Sequence, residues 1–241
     1  MSDGIVETAS ETKAQYRGLR VVQATADPQM DEVYSLRYRA YLKESAIEPN
    51  CTRRFIDNYD LNRTSVPLGV VNQRGRLIGA IRFAVQPPMS HGIMDFRSSP
   101  EFQVFPDVLR QLEQDDRPIA SGARFAIEPE NPRRSEIAVL LMLAQVVAAR
   151  ASGAKWGLAT VRGSHLHFYR RFCAMKPLCE PRRMPNLNYD YTLMGVDIDE
   201  AYADVIARYP QACRDYFERE HPFWSAEITH ALPELAMRGA A

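Results

Sequence analysis

Ile119-Ala120-Ser121-Gly122-Ala123-Arg124-Phe125-Ala126-Ile127 is the stretch from which the fold is read. It is a short, nearly apolar run closed by Pro129 and Pro132, the pattern of a central strand. Ser135 then stands as a candidate helix cap with Glu136 in the first turn. Apolar residues continue to about Ala151, and Gly153 supplies the stop. Trp156–Val161 is the next strand, His165–Phe172 a short helix and Tyr189–Val196 a last strand. Upstream, Leu68–Asn72 and Arg76–Val85 flank Gln73-Arg74-Gly75, a hairpin signal. Leu19–Ala24 is a further short strand. Asp27-Pro28 opens a helix that carries Met30, Val33, Tyr34, Arg37, Tyr38 and Tyr41 at helical spacing. A β-meander followed by strand, helix, strand, helix and strand predicts an α/β fold: one mixed sheet covered by helices. Val104–Leu112 reads as a short helix inside an irregular stretch, and the segment between Leu42 and Leu61 reads as a functional loop.

The 241 residues divide into a polar, disordered tail over 1–18, a folded domain over 19–198 and a helical extension over 199–241. Lys+Arg and Asp+Glu both number 30, so no net field draws the chain to nucleic acid or an anionic membrane. Cys51, Cys173, Cys179 and Cys213 form no Cys-x-x-Cys pair and no metal-ligand spacing. His165 and His167 stand two apart on a helix, where their rings point apart, so no metal site is expected. The first fifteen residues are polar and acidic, unlike a secretory leader, and Ile137–Ala149 is too short to span a bilayer. A reducing cytoplasm is the expected compartment.

Two strand-like runs, Gly79–Ala84 and Ala123–Glu128, each carry an arginine, Arg82 and Arg124, that an apolar strand does not tolerate unpaired. The loop Phe55-Ile56-Asp57-Asn58-Tyr59-Asp60 offers two carboxylates as partners. Arginines and carboxylates on rigid strands suit a site for a small polar substrate, and equally a structural ion-pair network.

Trp156–Leu178, a strand running into a helix with Tyr169 and then Lys176-Pro177-Leu178, resembles the end of the core in the GCN5-related N-acyltransferase (GNAT) superfamily. Cys173-Ala174 replaces the Gly-Phe usual there, and Glu128–Ser135 has none of the glycines that cradle the pyrophosphate of coenzyme A. The resemblance is more specific to the acyl-homoserine-lactone (autoinducer) synthases and the N-acyl amino acid synthases. Leu36–Tyr41 is similar to their Leu-Arg-x-x-Val-Phe helix, and Phe55–Asp60 to their Ile-Asp-x-Tyr-Asp motif. Leu77–Arg82 is similar to Val-Gly-x-x-Arg-Leu, and Ala123–Ile127 to Ser-Arg-Phe-Ala-Val. Ser121 stands where autoinducer synthases carry a glutamate, and their N-terminal tryptophan is missing, which favours the N-acyl amino acid synthases.

The resemblance implies a GNAT-like, mainly antiparallel sheet and the transfer of a long-chain fatty acyl group from acyl carrier protein to a small amine or amino acid. No tightly bound cofactor is implied: acyl-phosphopantetheine is a co-substrate, with acyl-CoA the lesser alternative. Arg37, Arg82 and Arg124, with Asp57, Asp60, Tyr41 and Phe125, would shape the polar end of the site. Glu128 is the positional candidate for general base and Asp57 its rival, while Tyr169 would protonate the departing thiolate. Arg133, Arg134 and Ser135 would meet the pantetheine phosphate or the carrier protein. Val139, Leu140 and Leu143 would line an acyl tunnel or be plain core, and Phe217, Phe223, Trp224 and Ile228 would cover it or form a dimer face. An autoinducer synthase, a CoA-dependent acetyltransferase and a non-catalytic acyl-binding module are the alternatives.

Overall fold

The computed structural model describes residues 18–24, 27–61, 65–86, 99–115 and 117–210. The N-terminal tail through residue 17, and Cys213, Phe217, Phe223, Trp224 and Ile228, for which the sequence sets expectations, lie outside the described residues.

The strand elements are β1 (Arg20–Gln23), β2 (Ser65–Val71), β3 (Leu77–Gln86), β4 (Ile119–Ile127), β5 (Trp156–Arg162), β6 (Lys176–Pro177), β7 (Arg182–Arg183) and β8 (Asp190–Asp197). The helices are α1 (Asp27–Lys43), α2 (Pro100–Val104), α3 (Pro106–Leu112), α4 (Arg134–Ala151), α5 (Leu166–Cys173) and α6 (Ile198–Arg208). All eight strands join one sheet in the order β1-β2-β3-β4-β5-β8-β6, with β7 also on β8. Every pairing is antiparallel except β4 with β5. The expected mixed, mainly antiparallel sheet is therefore present.

Local chemistry fixes the connections. The β2–β3 hairpin turns at Gly75, whose φ of 75° suits glycine, and its N–H donates to the Asn72 carbonyl at 2.9 Å. α4 ends at Gly153, φ 71°, whose N–H donates to the Arg150 carbonyl. Ser135 is not the cap of α4: the helix starts at Arg134, its N-cap is Arg133, and no side chain caps it. The Val104–Leu112 helix is two short helices, α2 and α3, each opened by a proline in its first turn. β6 and β7, two residues each, are too short to leave a periodic signal.

The faces divide by alternation along β3. Ile81, Phe83 and Val85 join the main core with α4, where Ile137, Leu140, Leu141 and Leu143 are fully buried. Ala80 packs with Val33 and Leu36 of α1, on the opposite face. Ala201 and Val205 of α6 join the main core.

Candidate active site

Arg82 alternates with Ile81 and Phe83 and so faces α1, where Arg37 follows Leu36 and lies one turn from Val33. Both arginines are essentially inaccessible. The loop from Phe55 tightens into a 3-10 turn at Asn58–Leu61 that aims Asp57 and Asp60 at them. Two loop amides brace the carboxylates: the Asp57 N–H donates to Asp60 Oδ2, and the Tyr59 N–H to Asp57 Oδ1, both at 3.0 Å. Arg37 Nη1 donates to Asp60 Oδ1 at 2.7 Å. Arg82 Nη1 donates to Asp57 Oδ1 at 2.6 Å and Arg124 Nε to Asp57 Oδ2 at 2.7 Å. The Arg82 and Arg124 guanidiniums also lie over the rings of Tyr59 and Phe55, at 5.0 and 5.5 Å.

Sequence reasoning missed Glu101, a buried residue of α2 whose Oε1 lies 3.6 Å from Arg82 Nη2. It falls in a stretch without periodicity, where an acid behind a proline reads as an ordinary first-turn charge. With it, three arginines face three carboxylates and the buried charge is balanced. Burial alone would raise the Asp57 carboxyl, but Arg124 and Arg82 outweigh it and hold Asp57 below its ordinary 3.8. Burial likewise opposes the charge on Arg82, yet Glu101, Asp57 and Asp60 keep it firmly protonated. The structure thus brings Arg37, Arg82, Arg124, Asp57 and Asp60 together, beneath Phe55 and Tyr59.

Beside this network the sheet opens. β4 and β5 pair only from Ile119↔Trp156 to Gly122↔Ala159. Arg124 then adopts φ 57°, a conformation that costs a side-chain-bearing residue about 1–3 kcal/mol, and β4 leaves β5 while keeping its ladder with β3. The resulting cleft has a volume of about 1120 Å³. Tyr41, Glu44 and Ala46 line it from the α1 side, Phe125–Ile127 and Thr160–Arg162 from the two strands. Arg134, Ser135, Val139, His165, His167 and Tyr169 line it from the α4 and α5 side. A much smaller apolar space of about 40 Å³ lies beyond Tyr169, bounded by Phe83, Gly122, Gln145 and Met175.

Among the predicted site residues, Tyr41, Phe125, Arg134, Ser135 and Tyr169 reach the cleft, whereas the five network residues do not line it. Arg133 is turned onto Glu136. Glu128 is not among the lining residues either: it accepts from Arg39 Nη2 at 2.7 Å and Arg76 Nη2 at 3.0 Å, and those bonds, Arg39's first, hold its carboxyl below 4.5. Val139 lines the cleft, while Leu140 and Leu143 are core. Burial pushes the Tyr169 phenol well above its ordinary value, so it stays a neutral donor. Among the described residues no group of three or more His, Cys, Asp or Glu side chains forms a metal cradle, and no helix is long and apolar enough to cross a membrane.

The sheet parts between its parallel strand pair, with the start of α4 at the opening, and the fold is GNAT-like. Residues 32–197 match the family described as N-acyl amino acid synthase FeeM, and the chain belongs to that family of N-acyltransferases. Among solved structures it is similar to FeeM, an N-acyl amino acid synthase from uncultured soil microbes, at 13% identity and a TM-score of 0.63, covering 79% of this chain and 97% of that one. It is also similar to the acyl-homoserine lactone synthase LasI, at 14% identity and TM-score 0.57, covering 78% and 94%. A CoA-dependent acyl-homoserine lactone synthase, BjaI, solved with MTA, aligns at 18% identity and TM-score 0.56, covering 80% and 89%. No curated protein matches the sequence.

Proposed function

We propose that the protein transfers a long-chain fatty acyl group from the phosphopantetheine thioester of acyl carrier protein to the amine of an amino acid or similar small amine. The observation that carries this reading is the cleft between β4 and β5, lined by α1 on one side and by α4 and α5 on the other. A donor enters by the α4 side and an acceptor by the α1 side, so the two meet where the strands part. Arg134 and Ser135, at the start of an 18-residue helix, offer charge and backbone dipole to one phosphate. The Glu128–Ser135 turn has no glycine, so its backbone cannot wrap a pyrophosphate closely, which favours a carrier-borne arm over free coenzyme A.

Backbone N–H groups near residues 125–127, where β4 has left β5, would stabilise the tetrahedral oxyanion. Tyr169, neutral and buried, hydrogen-bonds the departing sulfur and so favours cleavage of the C–S bond. The apolar space beyond Tyr169 receives part of the acyl chain. Arg37, Arg82, Arg124, Asp57 and Asp60 act from behind: the network fixes the backbone at Arg124 and thereby the place of Phe125. Glu128, tied to two arginines, is not assigned the base.

The reading is tested by mass spectrometry of lipid extracts from a host expressing wild type or Arg124→Ala, with thiol release measured on purified protein. New N-acyl amino acids with wild type, absent with the variant, are expected. Acyl-homoserine lactones would assign the other branch. Thiol release from acyl-CoA but not from acyl carrier protein would reassign the donor. Binding of acyl carrier protein without thiol release or product would leave a non-catalytic acyl-binding module.

A further inference from the structure

Glu44 is the carboxylate that enters the cleft from the α1 side, just past the end of that helix. Its backbone is pinned. Its N–H donates to the Ala40 carbonyl at 3.3 Å, and its own carbonyl accepts from Tyr189 Oη at 3.3 Å and from Arg162 Nη1 at 3.5 Å. Arg162, the last residue of β5, lies over the Tyr189 ring with its guanidinium carbon 4.0 Å from the centroid. Arg162 is thus held by the Glu44 carbonyl and the Tyr189 ring, and the Glu44 backbone by Ala40, Tyr189 and Arg162, while no hydrogen bond joins the two charged ends.

Their charged ends stand side by side without bonding. Glu44 Oε2 is 3.6 Å from Arg162 Nη1, and Glu44 Oε1 is 4.0 Å from Arg134 Nη2. At such separations the Coulomb attraction survives while no hydrogen bond is made. The carboxylate and the guanidinium therefore keep bonding capacity for a ligand. The complement of a negative and a positive group 3.6 Å apart is a positive and a negative group at similar spacing, laid antiparallel. An α-amino acid is that object: its ammonium nitrogen and nearer carboxylate oxygen are about 3 Å apart, as bond lengths through Cα require.

We infer that Glu44 and Arg162 form the acceptor site and read a zwitterionic α-amino acid, Glu44 taking the ammonium and Arg162 the carboxylate. This rests on the acyl-transfer reading above and narrows its acceptor. It also supplies the base that neither Glu128 nor Asp57 is free to be. One ammonium proton passes to Glu44 and on to water, leaving a neutral amine. The amine nitrogen then attacks the thioester carbonyl carbon. As the C–N bond is completed and the C–S bond breaks, the remaining extra proton on nitrogen is transferred to the thiolate, with Tyr169 bonded to the sulfur.

The test uses full-length protein, with the twenty common L-amino acids and the primary amines that lack their carboxylates as probes. Thermal stabilisation reports binding, and thiol release from acyl carrier protein thioester reports turnover. At least one amino acid is expected to stabilise wild type while its carboxylate-free amine does not. Glu44→Gln and Arg162→Gln should each raise the acceptor KM at least tenfold, with Arg162→Lys intermediate, and the KM for the thioester should move less than threefold. An amine that replaces the amino acid without loss, variants whose acceptor KM stays within threefold of wild type, or no amino acid that stabilises wild type would each overturn the inference. Stabilisation lost in both variants, without thiol release from any thioester, would support the site and sink the acyl-transfer reading alone.

Discussion

Asp57→Ala is the sharpest test of the buried charge network. In the native protein its carboxylate takes a 2.6 Å bond from Arg82 and a 2.7 Å bond from Arg124. Removing it leaves two guanidiniums, each less than a tenth exposed, to share the carboxylates of Asp60 and Glu101. Neither remaining acid lies within hydrogen-bonding range of Arg124 among the described contacts, so that charge is stranded. Breaking one side of a buried ion pair costs about 3–5 kcal/mol, because the surviving charge stays desolvated and unpaired. For a chain of this size that is a fall in Tm of about 6–20 °C. The assay is thermal and urea unfolding of wild type, Asp57→Ala, Arg124→Met and the double variant. If the penalty is an uncompensated cation, deleting Arg124 as well should return about 2 kcal/mol, so the double variant is more stable than the single costs would sum to. A loss under about 1 kcal/mol for Asp57→Ala, or additivity within about 0.5 kcal/mol, would refute the account.

Acid should act through the same groups. Asp57 is held below its ordinary 3.8, so the unfolded chain binds its proton more readily than the native one. Its contribution is complete above about pH 3.8 and is lost as pH falls through the lower folded value; urea midpoints should be flat near neutrality and drop only below about pH 4, and Asp57→Asn should flatten that drop. Glu128→Gln should cost no more than about 1 kcal/mol, its arginine partners being 44% and 64% exposed, and should leave the rate of thiol release within about threefold; a hundredfold loss would restore Glu128 as the base. Gly122→Ala should destabilise by about 1–3 kcal/mol on urea titration, since a Cβ there would come within 1.8 Å of Gln145 Oε1 in the buried layer against α4; a neutral result would mean that Gln145 swings clear at no cost.

The sequence marked the network for a physical reason. Arginines in apolar strands must find partners, and Phe55–Asp60 was the nearby segment rich in carboxylate, so the meeting of Arg37, Arg82, Arg124, Asp57 and Asp60 was legible. Their enclosure was not, because residue type says what must pair and leaves open whether a ligand reaches the pair. Glu101 and Glu44 carried no signal at all. One sits in an aperiodic excursion, the other just past a helix end, and both matter only through partners at a distance in the chain, as Glu44 with Arg162 and Tyr189. The strands were read closely, β4 to the residue, whereas the Arg124 bulge that opens the cleft was invisible because arginine has no preference for positive φ.

The parallel seam between β4 and β5 has a mechanical consequence. Among the described residues, four residue pairs, Ile119↔Trp156 to Gly122↔Ala159, stitch β1–β4 to β5–β8 in the sheet plane. The sheet is in effect two leaves on a short spine, with α4 laid along one face as the splint. A spine that short would let the gap widen or narrow while the rings and charges on each leaf keep their own geometry. Acyl groups of unequal girth would then be accommodated by the angle between leaves, at no cost to the packing inside either one.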